Sequence, residues 1–366
     1  MTAARTWLWT TVLLSLGAVA CAALLAPPAG APPERALAWL LFTGSSVHVA
    51  STGWLFTVPA VRGYARQHRV RCVLMPIGLA GAAAIVAAAM SPAALRWLLV
   101  PYLGWQLYHY QKQNVGIAAL AASAGRVRAL RTSERRPLLL AGWSGTAALL
   151  ARPALLGVRL GPRPGHGPLT LSWPRSAGSA VFLLAAAAFA VAVASGASAL
   201  ARRPRAQRPP GFCATYLTCL LFFLPAFVFS SPYAAAGGVT IAHGLQYLLL
   251  VTLIAGGRPA ASAGRWSRPV RLALLANVAF IGGAALSSAS HLHDAAPAGR
   301  LIFGAYLGVV MAHFVIDAGL WRMRDPVARN ILVTHLPYLV PARPSGTADV
   351  DNAATDRSET DIGCRA

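Results

Sequence analysis

Long apolar stretches recur along the chain and are separated by short segments rich in Arg, Pro and Gly. A helix needs about 20 apolar residues to cross the hydrocarbon core of a bilayer. Ten stretches approach this length, near residues 7–26, 36–60, 72–90, 97–124, 137–157, 176–200, 213–231, 236–256, 270–288 and 301–321. The pattern predicts an all-α, polytopic membrane helix bundle of about ten transmembrane helices, forming a single domain over residues 1–340.

The two ends of the chain differ from this pattern. The first apolar stretch is followed by Ala-Pro-Pro without a clear small-residue cleavage site, so we expect it to be retained as a helix. After the tenth stretch, Asp325 and Pro326 resemble an N-cap and a first helical position, which predicts a short amphipathic helix through Val333 on the inner membrane surface. Residues 341–366 lack aromatic residues and are predicted to form a disordered cytoplasmic tail.

The charge balance is strongly basic, with 32 Lys and Arg against 10 Asp and Glu and a formal net charge of +22. Nucleic-acid-binding proteins share such a balance, but there the basic residues form one face of a domain. Here most arginines fall in short runs that follow the second, fourth, sixth, eighth and tenth predicted helices. Because cytoplasmic loops are enriched in Lys and Arg, both termini are predicted to be cytoplasmic, and no nucleic-acid partner is expected.

The overall composition agrees with a lipid environment. Charged residues make up 11% of the chain and hydrophobic residues 56%, whereas a soluble domain carries about 25% charged residues. This excludes a single water-soluble globule. The excess of Ala, Arg, Gly and Pro is typical of a high-GC genome. We expect the protein in the plasma membrane of a bacterium. The five cysteines show no metal-ligand spacing, and we expect no disulfide framework.

Four histidines lie inside predicted transmembrane helices, where ionisable groups are costly and usually functional. These are His48, His109, His243 and His313, each on an even-numbered helix. Counted from the outer end of each helix at about 1.5 Å per residue, all four lie roughly 16 to 20 Å deep. Four parallel helices therefore carry histidines at one level.

A second polar layer is predicted about one turn deeper. Lys112 follows His109 by three residues, Tyr247 follows His243 by four, and Asp317 follows His313 by four, so each shares a helix face with its histidine. Lys112 is the only lysine of the chain, and Asp317 is the only acidic residue within a predicted helix of the membrane. The two residues are at the same depth. We expect them to form a buried ion pair, which could be purely architectural; alternatively, Asp317 orients or joins the ligands of a metal.

Neutral imidazole suits Zn, Cu, Fe and Ni, so several histidines in a dry cavity predict a metal site. A nearby carboxylate favours Fe(II) that activates O2. In this interpretation His48, His109, His243 and His313 bind the metal, and Asp317, Lys112 and Tyr247 supply catalytic groups. The surrounding Gln246, Asn114 and Gln113 would fix the imidazole tautomers. The alternative is that each histidine only bonds a neighbouring helix.

Two further features are weaker. His291, His293 and Asp294 at the outer end of the ninth helix could bind metal, but a solvated loop explains them better. Tyr108 and Tyr110 flank His109 too deeply for an interfacial aromatic belt and are expected to line an apolar substrate cavity.

These histidine segments resemble the Brp/Blh family of bacterial integral-membrane β-carotene 15,15′-dioxygenases. The segment His313-Phe-Val-Ile-Asp317, followed by Leu320-Trp321-Arg322, is similar to the last motif of that family, with a His to Asp spacing one residue shorter. His109 and Asn114 match a His and an Asp at the same spacing, with an amide in place of the acid. Thr52 stands where the family has an Asp after the first histidine, and Tyr247 where it has a second His.

The resemblance implies an iron-dependent dioxygenase in which the four histidines ligate Fe(II). Its substrates would be O2 and a lipid-soluble polyene or isoprenoid that enters laterally from the bilayer. The competing hypothesis is a non-enzymatic membrane protein: a carrier of haem or metal, or a transporter that uses Lys112 and Asp317 as a proton or ion relay.

Overall fold

The computed structural model describes residues 2–28, 31–152, 155, 175–257, 266–293, 296–322 and 325–340. Within these ranges the chain is helical and contains no strand. The helices are α1 Ala3–Leu24, α2 Arg35–Phe42, α3 His48–Leu55, α4 Pro59–Gln67, α5 Met75–Ala89, α6 Pro92–Ala124, α7 Thr132–Ala151, α8 Arg175–Ala201, α9 Pro210–Leu220, α10 Pro225–Val228, α11 Gly238–Gly256, α12 Arg268–Ser290, α13 Pro297–Leu320 and α14 Pro326–His335. The predicted all-α class is confirmed.

Six helical segments of the described chain are long and apolar enough to cross a membrane, as expected of a multi-pass membrane protein. They are Ala3–Leu24, Val70–Ala89, Ser176–Ala201, Tyr233–Gly256, Arg268–Ser290 and Pro297–Leu320. The predicted count of about ten is not supported, because the stretches near 36–60, 97–124, 137–157 and 213–231 do not meet the same requirements.

Each of these four stretches departs from a plain apolar helix. The first contains a π-helical turn at Thr43–Val47, and α6 carries polar residues in its second half. Helix α7 opens on Ser-Glu-Arg-Arg at residues 133–136, and the end of its predicted stretch lies outside the described residues. The last stretch is broken into the short helices α9 and α10.

Helices α11 and α13 form the interior of the bundle, and α5 supports α13. Gly304 and Gly308 of α13 face the backbone of α5, where an added Cβ would overlap residues Leu79 to Ala87. Small residues allow such close backbone approach between membrane helices. This contact fixes the position of the helix that carries His313 and Asp317.

A buried ion pair joins α7 to the end of α8. Glu134 accepts hydrogen bonds from the guanidinium of Arg203, with Nη2 2.7 Å from Oε2, and both side chains are 1% exposed. Tyr216 of α9 donates to the backbone oxygen of Glu134 at 2.9 Å. Glu134 therefore ties three helices together, through its carboxylate to Arg203 and through its backbone oxygen to Tyr216.

The remaining expectations about the chain are met in part. Asp325 caps α14 through a hydrogen bond from the amide of Val327 to Oδ1, at 2.9 Å, so the predicted short helix after the tenth stretch is confirmed. Cys21, Cys72, Cys213 and Cys219 are free thiols. Cys364 and the predicted tail at 341–366 lie outside the described residues.

Candidate metal centre

The four predicted histidines meet at one point in the interior. Their ring centroids form a closed ring: His48 to His243 is 5.0 Å, His243 to His109 5.1 Å, His109 to His313 5.2 Å and His313 to His48 5.2 Å. None of the four is more than 8% exposed. They come from α3, α6, α11 and α13, so helices far apart in sequence build the ring together.

The nitrogen atoms of this ring are poorly satisfied by the protein. Among the described residues, the Nε2 atoms of all four histidines and the Oδ2 atom of Asp317 have no hydrogen-bond partner. Burying unpaired polar atoms costs free energy, and unmatched acceptors that point at each other are unfavourable unless something binds them. A metal ion would satisfy these lone pairs together, so the donor set fits a cation.

Asp317 closes one side of the ring. Its Oδ2 atom lies 3.6 Å from Nε2 of His313 and 3.9 Å from Nε2 of His109. The structure thus contains two overlapping groups that could hold a metal, His48 with His243 and His313, and His109 with His313 and Asp317. Both groups are buried. The second combines two imidazoles with one carboxylate.

A chain of hydroxyl groups connects His313 to Asp317. The Thr52 hydroxyl lies 2.7 Å from Nδ1 of His313 and 2.8 Å from the Tyr247 hydroxyl, which donates to Oδ1 of Asp317 at 3.1 Å. Because each hydroxyl has one proton, donation by Tyr247 to Asp317 leaves Thr52 to donate to Tyr247 and to accept from Nδ1 of His313. Nε2 of His313 is then unprotonated and available as a ligand.

Aromatic rings hold two of the imidazoles in place. Tyr110 stacks on His243 with centroids 4.1 Å apart, and Phe314 stacks on His109 at 4.4 Å. Gln106 fixes Tyr110 by donating to its hydroxyl at 2.7 Å. These contacts leave the imidazoles little freedom to turn away from the centre.

Helix geometry places His48 and His243 next to each other in the ring. A π-helical turn, Thr43–Val47, ends directly before His48, and a second, Tyr233–Gly237, precedes α11. Such turns are frequent at functional sites because they rotate the residues that follow. Gly44 and Gly244 lie where the two backbones touch, and a Cβ on Gly244 would overlap the backbone of Gly44.

Lys112 does not take part in the centre. It is exposed, and its ammonium lies 6.0 Å from the ring centroid of Tyr108, one turn earlier on α6. Within the described chain, Asp317 is paired with His109 and His313. The expected pair between Lys112 and Asp317 is therefore wrong, because equal depth does not make two helix faces meet.

Gln113, Asn114 and Gln246 lie beside the centre and connect helices. Gln113 donates to the backbone oxygen of His243 at 3.0 Å and to Oε1 of Gln246 at 3.2 Å. Gln246 donates to Ser15 of α1 at 2.8 Å. Among the described hydrogen bonds, none runs from these amides to an imidazole nitrogen, so the expectation that they fix the tautomers is wrong. On His313, the side chain that contacts the ring nitrogen is Thr52.

Of the two weaker expectations, the one for Tyr108 and Tyr110 is corrected. Tyr110 packs against His243, and Tyr108, on the other side of α6, stacks on Trp143 at 4.7 Å, so the two tyrosines do not line one cavity. His291 and His293 contact backbone oxygens of their own helix end, at 2.7 and 3.2 Å, and Asp294 lies outside the described residues.

Comparison with protein-family models, curated proteins and solved structures gives no match to this chain. The residues of the centre are therefore the basis for inferring its function.

Proposed function

We propose that the chain is an integral-membrane, histidine-ligated non-haem iron oxygenase acting on an apolar polyene or isoprenoid-like substrate. The proposal rests on the buried ring of four imidazoles with unpaired Nε2 atoms, closed by Asp317. Two histidines and one carboxylate are the ligand set of many Fe(II) oxygenases, and His109, His313 and Asp317 provide it here. Bound Fe(II) would supply the redox chemistry that O2 activation requires.

The protein's own groups prepare this site. The hydrogen bonds through Thr52 and Tyr247 orient His313 and Asp317, and the stacked rings of Tyr110 and Phe314 orient His243 and His109. Burial excludes water, which protects reactive intermediates from side reactions. Each residue thus binds, orients or shields.

The substrate would approach on the Trp105 side. His109 is the most exposed of the four histidines at 8%, and Phe314, which stacks on it, contacts Trp105 at a centroid distance of 5.8 Å. Trp105 itself is 37% exposed on the outside of the bundle. This continuous aromatic path from the lipid favours an apolar substrate that enters laterally.

Two versions of the carrier hypothesis fit the centre less well. Four imidazoles with neighbouring centroids about 5 Å apart leave no room for a porphyrin among them. A relay between Lys112 and Asp317 lacks the contact it needs, since Lys112 faces outward. A carrier of the metal ion itself remains the competing function.

We also propose the finer topology of ten membrane crossings with both termini in the cytoplasm of a bacterial cell. Residues 35–55 continue as one helical segment through the π-helical turn, and α6 and α7 have 33 and 20 residues. The broken pair α9 and α10 is packed within the bundle, where Phe222 and Phe223 are buried, as non-helical backbone requires at membrane depth. Alternating exits rich in Arg support this orientation.

The decisive experiment supplies Fe(II), O2 and a polyene such as a carotenoid to the purified protein. The oxygenase hypothesis predicts loss of the polyene that depends on O2, with oxygen from labelled O2 in the products. The Asp317→Asn variant should lose this activity, whereas His291→Ala, outside the centre, should keep it. Stoichiometric iron without any O2 consumption, over a panel of polyenes and isoprenoids, would favour the metal carrier.

A further inference from the structure

A basic groove lies at the end of α3, away from the histidine ring. It is formed by α4 and the start of the helical segment at 70–89, and has a volume of about 540 Å³. Arg62, Arg66 and Arg69 line it together with the apolar side chains of Phe56, Val73 and Leu74. The lining is therefore mainly apolar, and three of the side chains that form it end in guanidinium groups.

The three arginines are not neutralised by the protein. Among the described residues, no carboxylate lies within ion-pair distance of Arg62, Arg66 or Arg69, and all three are exposed. Arg62 donates to the backbone oxygen of Thr57 at 2.9 Å, a neutral acceptor that leaves its charge unpaired. Arg62 and Arg66 are four residues apart on α4 and so share a helix face.

The apolar lining continues along the outside of the bundle. Val70 is 63% exposed, Leu74 61% and Ile77 67%, on a segment apolar enough to cross the membrane. These side chains face the acyl region of the bilayer. An occupant of the groove thus has its charged part among the guanidiniums and its apolar part along this helix.

We propose that this groove binds an anionic glycerophospholipid of the surrounding leaflet, with its phosphate held by Arg62, Arg66 and Arg69. Guanidinium groups donate paired hydrogen bonds to phosphate oxygens, which gives such a contact both strength and geometry. The acyl chains lie against Val73, Leu74 and the exposed apolar residues beyond them. The charge and the amphiphilic shape of the groove both match this ligand, and neither depends on the metal centre.

The test counts lipids bound to the full-length protein by native mass spectrometry, in competition between phosphatidylglycerol and phosphatidylcholine. The wild type should prefer phosphatidylglycerol by about tenfold or more, since each basic residue near a membrane surface attracts anionic lipid appreciably. The triple variant Arg62→Gln, Arg66→Gln, Arg69→Gln should lose this preference.

Two further variants make the result specific. Arg135→Gln, Arg136→Gln, Arg205→Gln removes three exposed arginines elsewhere and should keep the preference. Val73→Trp leaves every charge in place but fills the groove, and should lose the preference even if the triple groove variant fails to fold. Equal lipid preference in the wild type and the groove variants overturns the proposal, as does an equal loss in the distant triple variant, which would indicate general surface charge.

Discussion

At the scale of single residues, the orientation of His313 depends on one hydroxyl group. Replacing Thr52 with Val keeps the shape of the side chain but removes the oxygen that lies 2.7 Å from Nδ1 of His313 and 2.8 Å from the Tyr247 hydroxyl. Loss of such an outer hydrogen bond to a ligand typically lowers metal affinity by about 10-fold to 100-fold. Competition with a chelator measures this effect directly.

Thr215→Val is the matched control for Thr52→Val. The Thr215 hydroxyl only donates to the carbonyl of Gly211 within its own helix, at 2.8 Å. Metal affinity should therefore remain at the wild-type value. Equal affinities in both variants and the wild type would show that Thr52 does not position His313.

The sequence indicates the four histidines that meet in the interior, but not this partner. Four histidines in apolar helices stand out because ionisable residues are rare there. A threonine in an apolar helix does not stand out, because its hydroxyl commonly bonds to the preceding turn of the same helix, as those of Thr11 and Thr218 do. The predicted pair between Lys112 and Asp317 is wrong for a related reason. Counting residues along a helix gives the depth of a side chain, whereas contact between two side chains also depends on how each helix is rotated about its axis.

At the scale of helices, the contact between the His48 and His243 segments is a sensitive point. Gly244→Ala places a Cβ into the backbone of Gly44, so the two helices must separate. Overpacking of this kind costs about 1 to 3 kcal/mol and should also displace His243 from the ring. We expect a lower melting temperature and weaker metal binding. Gly116→Ala on α6, where a Cβ meets nothing within 4 Å, should lower neither the melting temperature nor the metal affinity.

The ion pair between Glu134 and Arg203 gives a second prediction at this scale. Arg203→Ala leaves Glu134 buried without its main partner, and such losses cost about 3 to 5 kcal/mol. Thermal unfolding in detergent should show a clearly reduced melting temperature. Arg202→Ala removes the adjacent exposed arginine and should leave the melting temperature unchanged. Equal melting temperatures for the two variants would contradict a stabilising role for this pair.

The apolar pattern predicted where most helices lie but not where they break. The π-helical turn at Thr43–Val47 and the gap between α9 and α10 arise from packing against other helices, which hydropathy does not record. Arg203 belongs to the run of arginines after the sixth predicted helix, which the sequence assigns to a cytoplasmic loop. The one available signal for its pairing was Glu134, the only acidic residue between Glu34 and Asp294.

At the scale of the whole molecule, the scarcity of charge explains why the centre could be recognised. With 11% charged residues, a buried carboxylate one helical turn from a layer of four histidines is exceptional, and the fold brings these five residues together from α3, α6, α11 and α13. The all-α class and the histidines that meet in the interior were thus predictable from composition and depth. The contacts around these residues could not be predicted, because they depend on how the helices pack in three dimensions.

The metal content of the purified protein tests the central claim most directly. After anaerobic loading with Fe(II) and removal of free metal, elemental analysis should give close to one iron per chain in the wild type and in His291→Ala. His48→Ala, His109→Ala, His243→Ala and His313→Ala should each retain far less. No retained metal in the wild type, or unchanged metal in all four ring variants, would contradict the assignment of the histidine ring as a metal centre.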